Sequence, residues 1–285
     1  MDPRLELIIR EVKDDPRSGA FEIFTNVLES FAEIIERPRG LRPADLREFC
    51  LQLHRAKGSM APLFNLANQV LLSLGSEDWQ GRVSQTVISM RNERDLSRAR
   101  LIESLKGVLK GDRIMTISYS STVLAALETI GRDIEVIVPV SLPLGEGREM
   151  ARALVEKGIR SELIHDSMVF PVMEEMDITL VGSDAITPRG IVNKVGTFSM
   201  VSAANRFEIP AHVVCDWMKV SPVMMMDAVE TQTSVAKDLT KRERIFELTP
   251  MELITSIITD RGKFLPEEIL KRMEEMPVSK EWGNL

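Results

Sequence analysis

The sequence predicts an α/β protein in two parts, a helical amino-terminal part over residues 1–110 and a Rossmann-like part with a mainly parallel sheet over 111–285. Three observations predict it. Before Gly111, apolar residues recur at intervals of three and four, the spacing of one helix face. After it, short apolar runs alternate with stretches of helix length, the βαβ rhythm that builds a parallel sheet. Finally, residues 181–199 (VGSDAITPRGIVNKVGTFS) join an apolar strand end to a helix start through a polar, glycine-bearing loop. That layout lets α/β proteins bind anions, because the loop and the first helical turn offer unpaired backbone N–H groups.

The opening stretch, MDPRLELIIREVKDD, alternates charged with apolar residues and has no long apolar run. Neither a signal peptide nor a membrane span is expected. From Phe21, the residues Phe24, Val27, Leu28, Phe31, Ile34 and Ile35 share one helical stripe, which Gly40 and Pro43 end. Pro43 to Arg55 reads as a second helix and Pro62 to Leu74 as a third. The charged stretch from Asp78 to Lys110 keeps helical spacing through Val83, Val87, Met90, Leu96, Leu101, Leu105 and Leu109, with Gly111 and Asp112 as its exit. Strands are then expected at Ile114 to Ile117, Glu135 to Val140, Glu162 to Ile164, Ile178 to Val181 and Ala211 to Cys215. The helices between them are expected at Thr122 to Ile130, Glu146 to Lys157 and Thr197 to Phe207.

At 285 residues and 44% hydrophobic content the chain can bury a sizeable core. A formal charge of -7 gives no overall field that gathers nucleic acid, and no local basic patch stands out. Cys50 and Cys215 lie far apart in apolar settings, which suits free thiols in a reducing, cytoplasmic location. No Walker loop, zinc spacing or Ser-His-Asp order is present, so no metal or cofactor is expected.

In a parallel sheet the ligand crevice lies outside the carboxyl ends of the strands. Those ends carry Ser118, Tyr119, Ser120 and Ser121, then Ser141 and Leu142, then His165, Asp166 and Ser167, then Gly182 to Asp184. Asp184 suits a general base or an acceptor for a sugar hydroxyl, and its bland reading is a loop cap. Lys194 suits pairing with a phosphate or polarising a carbonyl, and its bland reading is a side chain turned to solvent. Ser118, Ser120, Ser121 and Thr122 precede an apolar helix, so they either cradle a phosphate or cap that helix. Asp166 and Ser167 read as a helix cap. His54 falls in a helix and His212 in a buried strand, neither with a partner at nucleophile or ligand spacing.

The loop from Gly182 to Thr197 resembles the signature of a family that joins the alpha, beta and delta subunits of translation initiation factor 2B to two sugar-phosphate isomerases. Those enzymes act on methylthioribose 1-phosphate and ribose 1,5-bisphosphate. ISYSSTVLAAL, LPLGEGREMARALVEKGI and ELTPMELITSIITDRG resemble further family segments, as do Arg17 to Phe21 and Lys57 to Asn68, so the likeness runs in order through most of the chain. It implies a helical amino-terminal domain before a Rossmann-like domain, and a homodimer or larger ring formed through the latter. It also implies a small phosphorylated ligand, a sugar phosphate or nucleotide, held by Arg17, Gly19, Ala20, Lys57, Ser120, Ser121, Asn193 and Lys194, with translation initiation factor 2 as a further partner.

The isomerases pair a cysteine with an aspartate to move protons between adjacent sugar carbons. Here the aspartate position is Asp184 and the cysteine position is Ser118. A thiol titrates near pH 8.5 and exchanges protons near neutrality, whereas an unassisted hydroxyl does not. Leu142 stands where the isomerases have an arginine, and Lys57 or Arg55 stands for another, which removes a guanidinium fork suited to phosphate. The expectation is a regulatory or assembly protein that keeps the pocket with a reduced catalytic set. The alternative is a pentose-phosphate isomerase that has reassigned its acid to Tyr119 or an ordered water. Ser221 to Leu239, with three consecutive methionines, fits a lid, an interface or ordinary core.

Overall fold

The computed structural model describes residues 1–15, 18–225, 230–236 and 239–283. Five helices come first: α1 (Pro3–Asp14), α2 (Ala20–Glu36), α3 (Pro43–Ala56), α4 (Ala61–Ser73) and α5 (Trp79–Leu105). The charged opening stretch is therefore a helix, with the Asp2 side chain accepting from the Arg4 N–H and Pro3 in the first turn. Its apolar residues Leu5, Ile8, Ile9 and Val12 fall at helical spacing and are buried. Alternation with charge had masked a period that the burial makes plain.

The alternating part follows: β1 (Arg113–Met115), α6 (Ser121–Ile130), β2 (Glu135–Pro139), α7 (Gly147–Glu156), β3 (Arg160–Ile164), α8 (Val169–Met173) and β4 (Ile178–Val181). Then come β5 (Ala185–Thr187), β6 (Gly190–Lys194), α9 (Thr197–Arg206), β7 (Ala211–Val214), β8 (Glu230–Ala236), β9 (Leu239–Arg244), β10 (Phe246–Pro250), β11 (Ser256–Thr259), β12 (Gly262–Phe264) and α10 (Pro266–Glu274). The main sheet has the order β12-β11-β7-β4-β1-β2-β3, parallel except for the edge strand β12. Among its parallel strands this is the doubly wound order, with the reversal between β1 and β4. Helices cover both faces. Met173, Met200, Val201, Ile269 and Met273 pack on one side, and Leu101, Leu105, Val123, Leu127, Met150 and Leu154 on the other.

One expectation needs correction. The stretch after β4 is not an open loop but a hairpin, β5 and β6, which β10 joins in a three-stranded antiparallel sheet. Gly190 has φ +144, and a Cβ there would stand 2.1 Å from the Thr249 carbonyl oxygen, so only glycine lets β10 approach. The hairpin packs on both parts: Ile186 and Ile191 are buried against the main-sheet cluster, and its other face meets the helices. Ala185 and Val192 are buried in the cluster built around Phe24, Phe31, Phe49 and Phe64, together with Met225 and Trp282. Of the methionine run, Met225 thus fills core; residues 226–229 and 237–238 of that segment, like Arg17, lie outside the described residues. Among the described residues no helix is long and apolar enough to cross a membrane.

Candidate functional site

The reversal between β1 and β4 leaves a crevice at their carboxyl ends, and the chain places Ser118 after the one and Asp184 after the other. Ser118 takes a left-handed conformation, φ +64, and its N–H donates to Ser141 Oγ at 2.8 Å. Ser141 is left-handed too, φ +65, and its hydroxyl donates to the Pro139 carbonyl at 2.9 Å. Two strand ends are thereby tied into one rim. Asp166 adds the third: its carboxylate accepts from the N–H groups of Ser141 at 2.7 Å and Leu142 at 3.1 Å. The expected helix cap is instead a tether across strands.

The serines divide. Ser120 caps α6, its hydroxyl accepting from the Val123 N–H at 3.3 Å, while Ser121 opens the helix exposed to solvent. Gly182 lets the β4 end pass close by, since a Cβ there would sit 2.9 Å from Ser120 Oγ. Leu142, at the arginine's place, is exposed on the rim and contributes no donor side chain. Beside this edge an apolar cleft between α5 and α6 is lined by Leu101, Leu105, Ala125 and Ala126, and also by Phe21, Ser121 and Asp216.

Asp184 is held from several sides. Its N–H donates to the Val192 carbonyl at 2.8 Å, and its carbonyl accepts from the Ala61 N–H at the start of α4 at 3.2 Å. Its carboxyl accepts from the Ala20 N–H, so Gly19 and Ala20 present the amino end of α2 to it. Burial pushes this carboxyl above the usual carboxylate range, and the charge of Lys219 and the Ala20 N–H oppose that shift only in part. Solvent still reaches part of the residue, which is half-buried by area, but the carboxyl is surrounded by protein. A carboxyl of this kind can hold or pass a proton nearer neutrality than a surface aspartate.

Lys194 does not face solvent. Its side chain is 3% exposed, and Nζ donates to both oxygens of Glu146, at 2.9 and 2.8 Å. Asn193 donates from Nδ2 to Thr197 Oγ1 at 3.0 Å, and Thr197 in turn donates to the Lys194 carbonyl at 2.6 Å. The amino end of α9, expected to be open for an anion, is taken. Glu247 Oε1 accepts from the N–H groups of Gly196 at 2.7 Å and Phe198 at 2.8 Å. A carboxylate at a helix amino end satisfies both the orphan donors and the dipole. Register puts it there, because Glu247 pairs with Asn193 across β10 and β6. Lys57 spends one donor on the Asp15 carbonyl at 2.7 Å.

Reading the sequence missed Lys219, Asp216, Glu146 and Glu247. Asp216 and Lys219 are buried at the carboxyl end of β7, and Lys219 sends its charge toward Asp184 and Cys215. The signal was available, a polar pair three apart directly after the apolar run HVVC. The two carboxylates gave no such signal, because what they contact is set by folding. Neither cysteine is a substitute thiol. Cys50 and Cys215 are both fully buried, and desolvation raises both, Cys215 to about 12. His54 packs edge-on to Phe64 and Trp282 at 5.6 and 5.3 Å. His212 meets Ser256 Oγ at 2.8 Å and is pushed down to about 4 by burial and by Lys263, which leaves it neutral.

The model of the initiation factor 2 subunit family matches residues 17–266. Among similar proteins, the translation initiation factor eIF-2B subunit 2-like protein of Pyrococcus furiosus is 30% identical over 275 residues, covering 91% of this chain and 95% of its own. The ribose 1,5-bisphosphate isomerase of Haloferax volcanii is 30% identical over 255 residues, covering 82% and 79%. Among solved structures, that of the translation initiation factor eIF-2B of Pyrococcus horikoshii has a TM-score of 0.81 at 27% identity, covering 95% of this chain and all of that one. The chain belongs to the initiation factor 2 subunit family, which contains both factor 2B-like proteins and sugar-phosphate isomerases.

Proposed function

We propose that this member of the family is a regulatory or assembly subunit of the initiation factor 2B kind, with a retained pocket for a sugar phosphate or nucleotide and without isomerase activity. One observation carries the reading: the strand-end position across the reversal from Asp184 is Ser118, and both thiols of the chain are buried and pushed up by desolvation. Transfer of a proton between adjacent carbons needs a partner that can gain and lose it near neutrality, which a serine hydroxyl without a base does not supply. The near-complete mutual coverage with a factor 2B-like relative supports the same reading.

The exposed apolar side chains at the strand ends, Tyr119, Leu142, Leu144 and Phe198, support a homodimer. Translation initiation factor 2 is the further partner of this reading. An isomerase is the second reading, favoured by the raised Asp184 carboxyl with Lys219 nearby. The deciding assay follows ketose formation from ribose 1,5-bisphosphate and methylthioribose 1-phosphate. We expect no turnover by the parent; turnover that disappears in Asp184→Asn would replace the regulatory reading with the enzymatic one.

A further inference from the structure

The end of the site built from β6, β10 and α9 carries one ammonium and two carboxylates. Lys194 is buried with its Nζ donating to both carboxylate oxygens of Glu146, and Glu247 takes the α9 N–H groups one register position away. The donors that an incoming phosphate would use are thus occupied, with a surplus of negative charge. Glu146 is also placed with little freedom of backbone. Gly145 turns at φ +82 with its N–H on the Ser141 carbonyl at 3.0 Å. Gly147 donates to the Val140 carbonyl at 3.1 Å, and a Cβ there would stand 1.8 Å from the Pro139 carbonyl oxygen. A residue clamped between two such glycines can leave Lys194 only by rotating its side chain, and doing so strands a buried ammonium.

We propose that Glu146 sets the ligand specificity of the site: its carboxylate stands on Lys194 where a ligand phosphate would bind, so the site takes a sugar or nucleoside carrying a single phosphate and gains nothing from a second one. The proposal rests on the reading above that the pocket holds a phosphorylated sugar or nucleotide. The cation for the single phosphate is Lys219, buried at the carboxyl end of β7 with its charge toward Asp184. Like charges brought together across a binding surface are a means of rejection, whatever attractive contacts remain.

Calorimetric titration of ribose 5-phosphate and ribose 1,5-bisphosphate into the parent, Glu146→Gln and Glu146→Asp tests it. Glutamine keeps an acceptor for Lys194 without the charge, and aspartate keeps the charge. The parent and Glu146→Asp should bind the two ligands with dissociation constants within about threefold of each other, whereas Glu146→Gln should bind the bisphosphate about tenfold more tightly or better. A parent that already prefers the bisphosphate by about tenfold, or an unchanged ratio in Glu146→Gln, overturns the proposal. Should no protein bind either sugar, the sugar-phosphate reading fails, and inorganic phosphate decides on Glu146 alone. Broadening of the phosphate ³¹P resonance by Glu146→Gln and not by the parent supports its blocking role, and equal behaviour of the two proteins refutes it.

Discussion

The helical cluster and the strand-end rim are held by different physics. Around Phe24, Phe31, Phe49 and Phe64, all with no exposed area, the chain relies on apolar burial and ring packing, as in the Phe31 and Phe49 stack at 5.1 Å. At the rim, backbone donors and lysines meet carboxylates: Asp166 on Ser141 and Leu142, Glu247 on α9, Glu146 on Lys194. Burial without charge is indifferent to pH and ligand, whereas a carboxylate on a donor can be displaced by another anion or silenced by a proton. The difference teaches where stability and where response reside. A ligand has little to change in the cluster and much to change at the rim.

The largest test of that separation is Phe31→Ala, which removes a fully buried ring of the helical cluster. It should cost about 3–5 kcal/mol in urea unfolding and leave the ligand affinity of the folded fraction unchanged. An affinity that falls with stability would break the comparison. Glu247→Ala should cost less, about 1–3 kcal/mol, because two donors of the α9 end lose their acceptor. It should also open that end to inorganic phosphate, read by ³¹P line broadening.

Asp184→Asn sharpens the comparison through pH. A carboxyl whose folded value is raised binds more protons folded than unfolded, so the parent loses stability as pH rises from the unfolded value through the folded one. Asparagine escapes that loss, and the melting temperature of the variant relative to the parent should climb between pH 4 and pH 8. A flat difference would mean that Lys219 and the Ala20 N–H offset the burial in full. The smallest effect is expected at Ser118→Gly, where relief of φ +64 should add up to about 1 kcal/mol.

The rim shows how unevenly a site can be read from sequence. Ser118 and Asp184 were placed at strand ends because β1 and β4 are short apolar runs with polar residues after them, and Asn193 and Lys194 were read as a polar pair before a helix start. Gly19 and Ala20 came from resemblance, and the fold gives them a physical role at the Asp184 carboxyl. Glu146 and Glu247 were invisible, since a glutamate in a glycine-flanked loop and one in a strand both look like solvated surface. Asp166 was read as a local cap because capping is the usual use of an aspartate before a short helix, and its partners 24 and 25 residues away cannot be inferred from local pattern.

By itself the sequence determined the alternation of strands and helices, the crossing from a helical to an α/β part near Gly111, and the strand ends at which polar residues gather. Periodicity and turn chemistry are local, so they survive without knowledge of what packs against what. Tertiary structure alone decided that the 182–194 stretch contains a hairpin stitched by β10 and buried between the helices and the main sheet, and that the expected anion donors are filled from within the chain. Those outcomes depend on register and on charges that are distant in sequence, and a carboxylate binds whichever donor folding brings within about 3 Å.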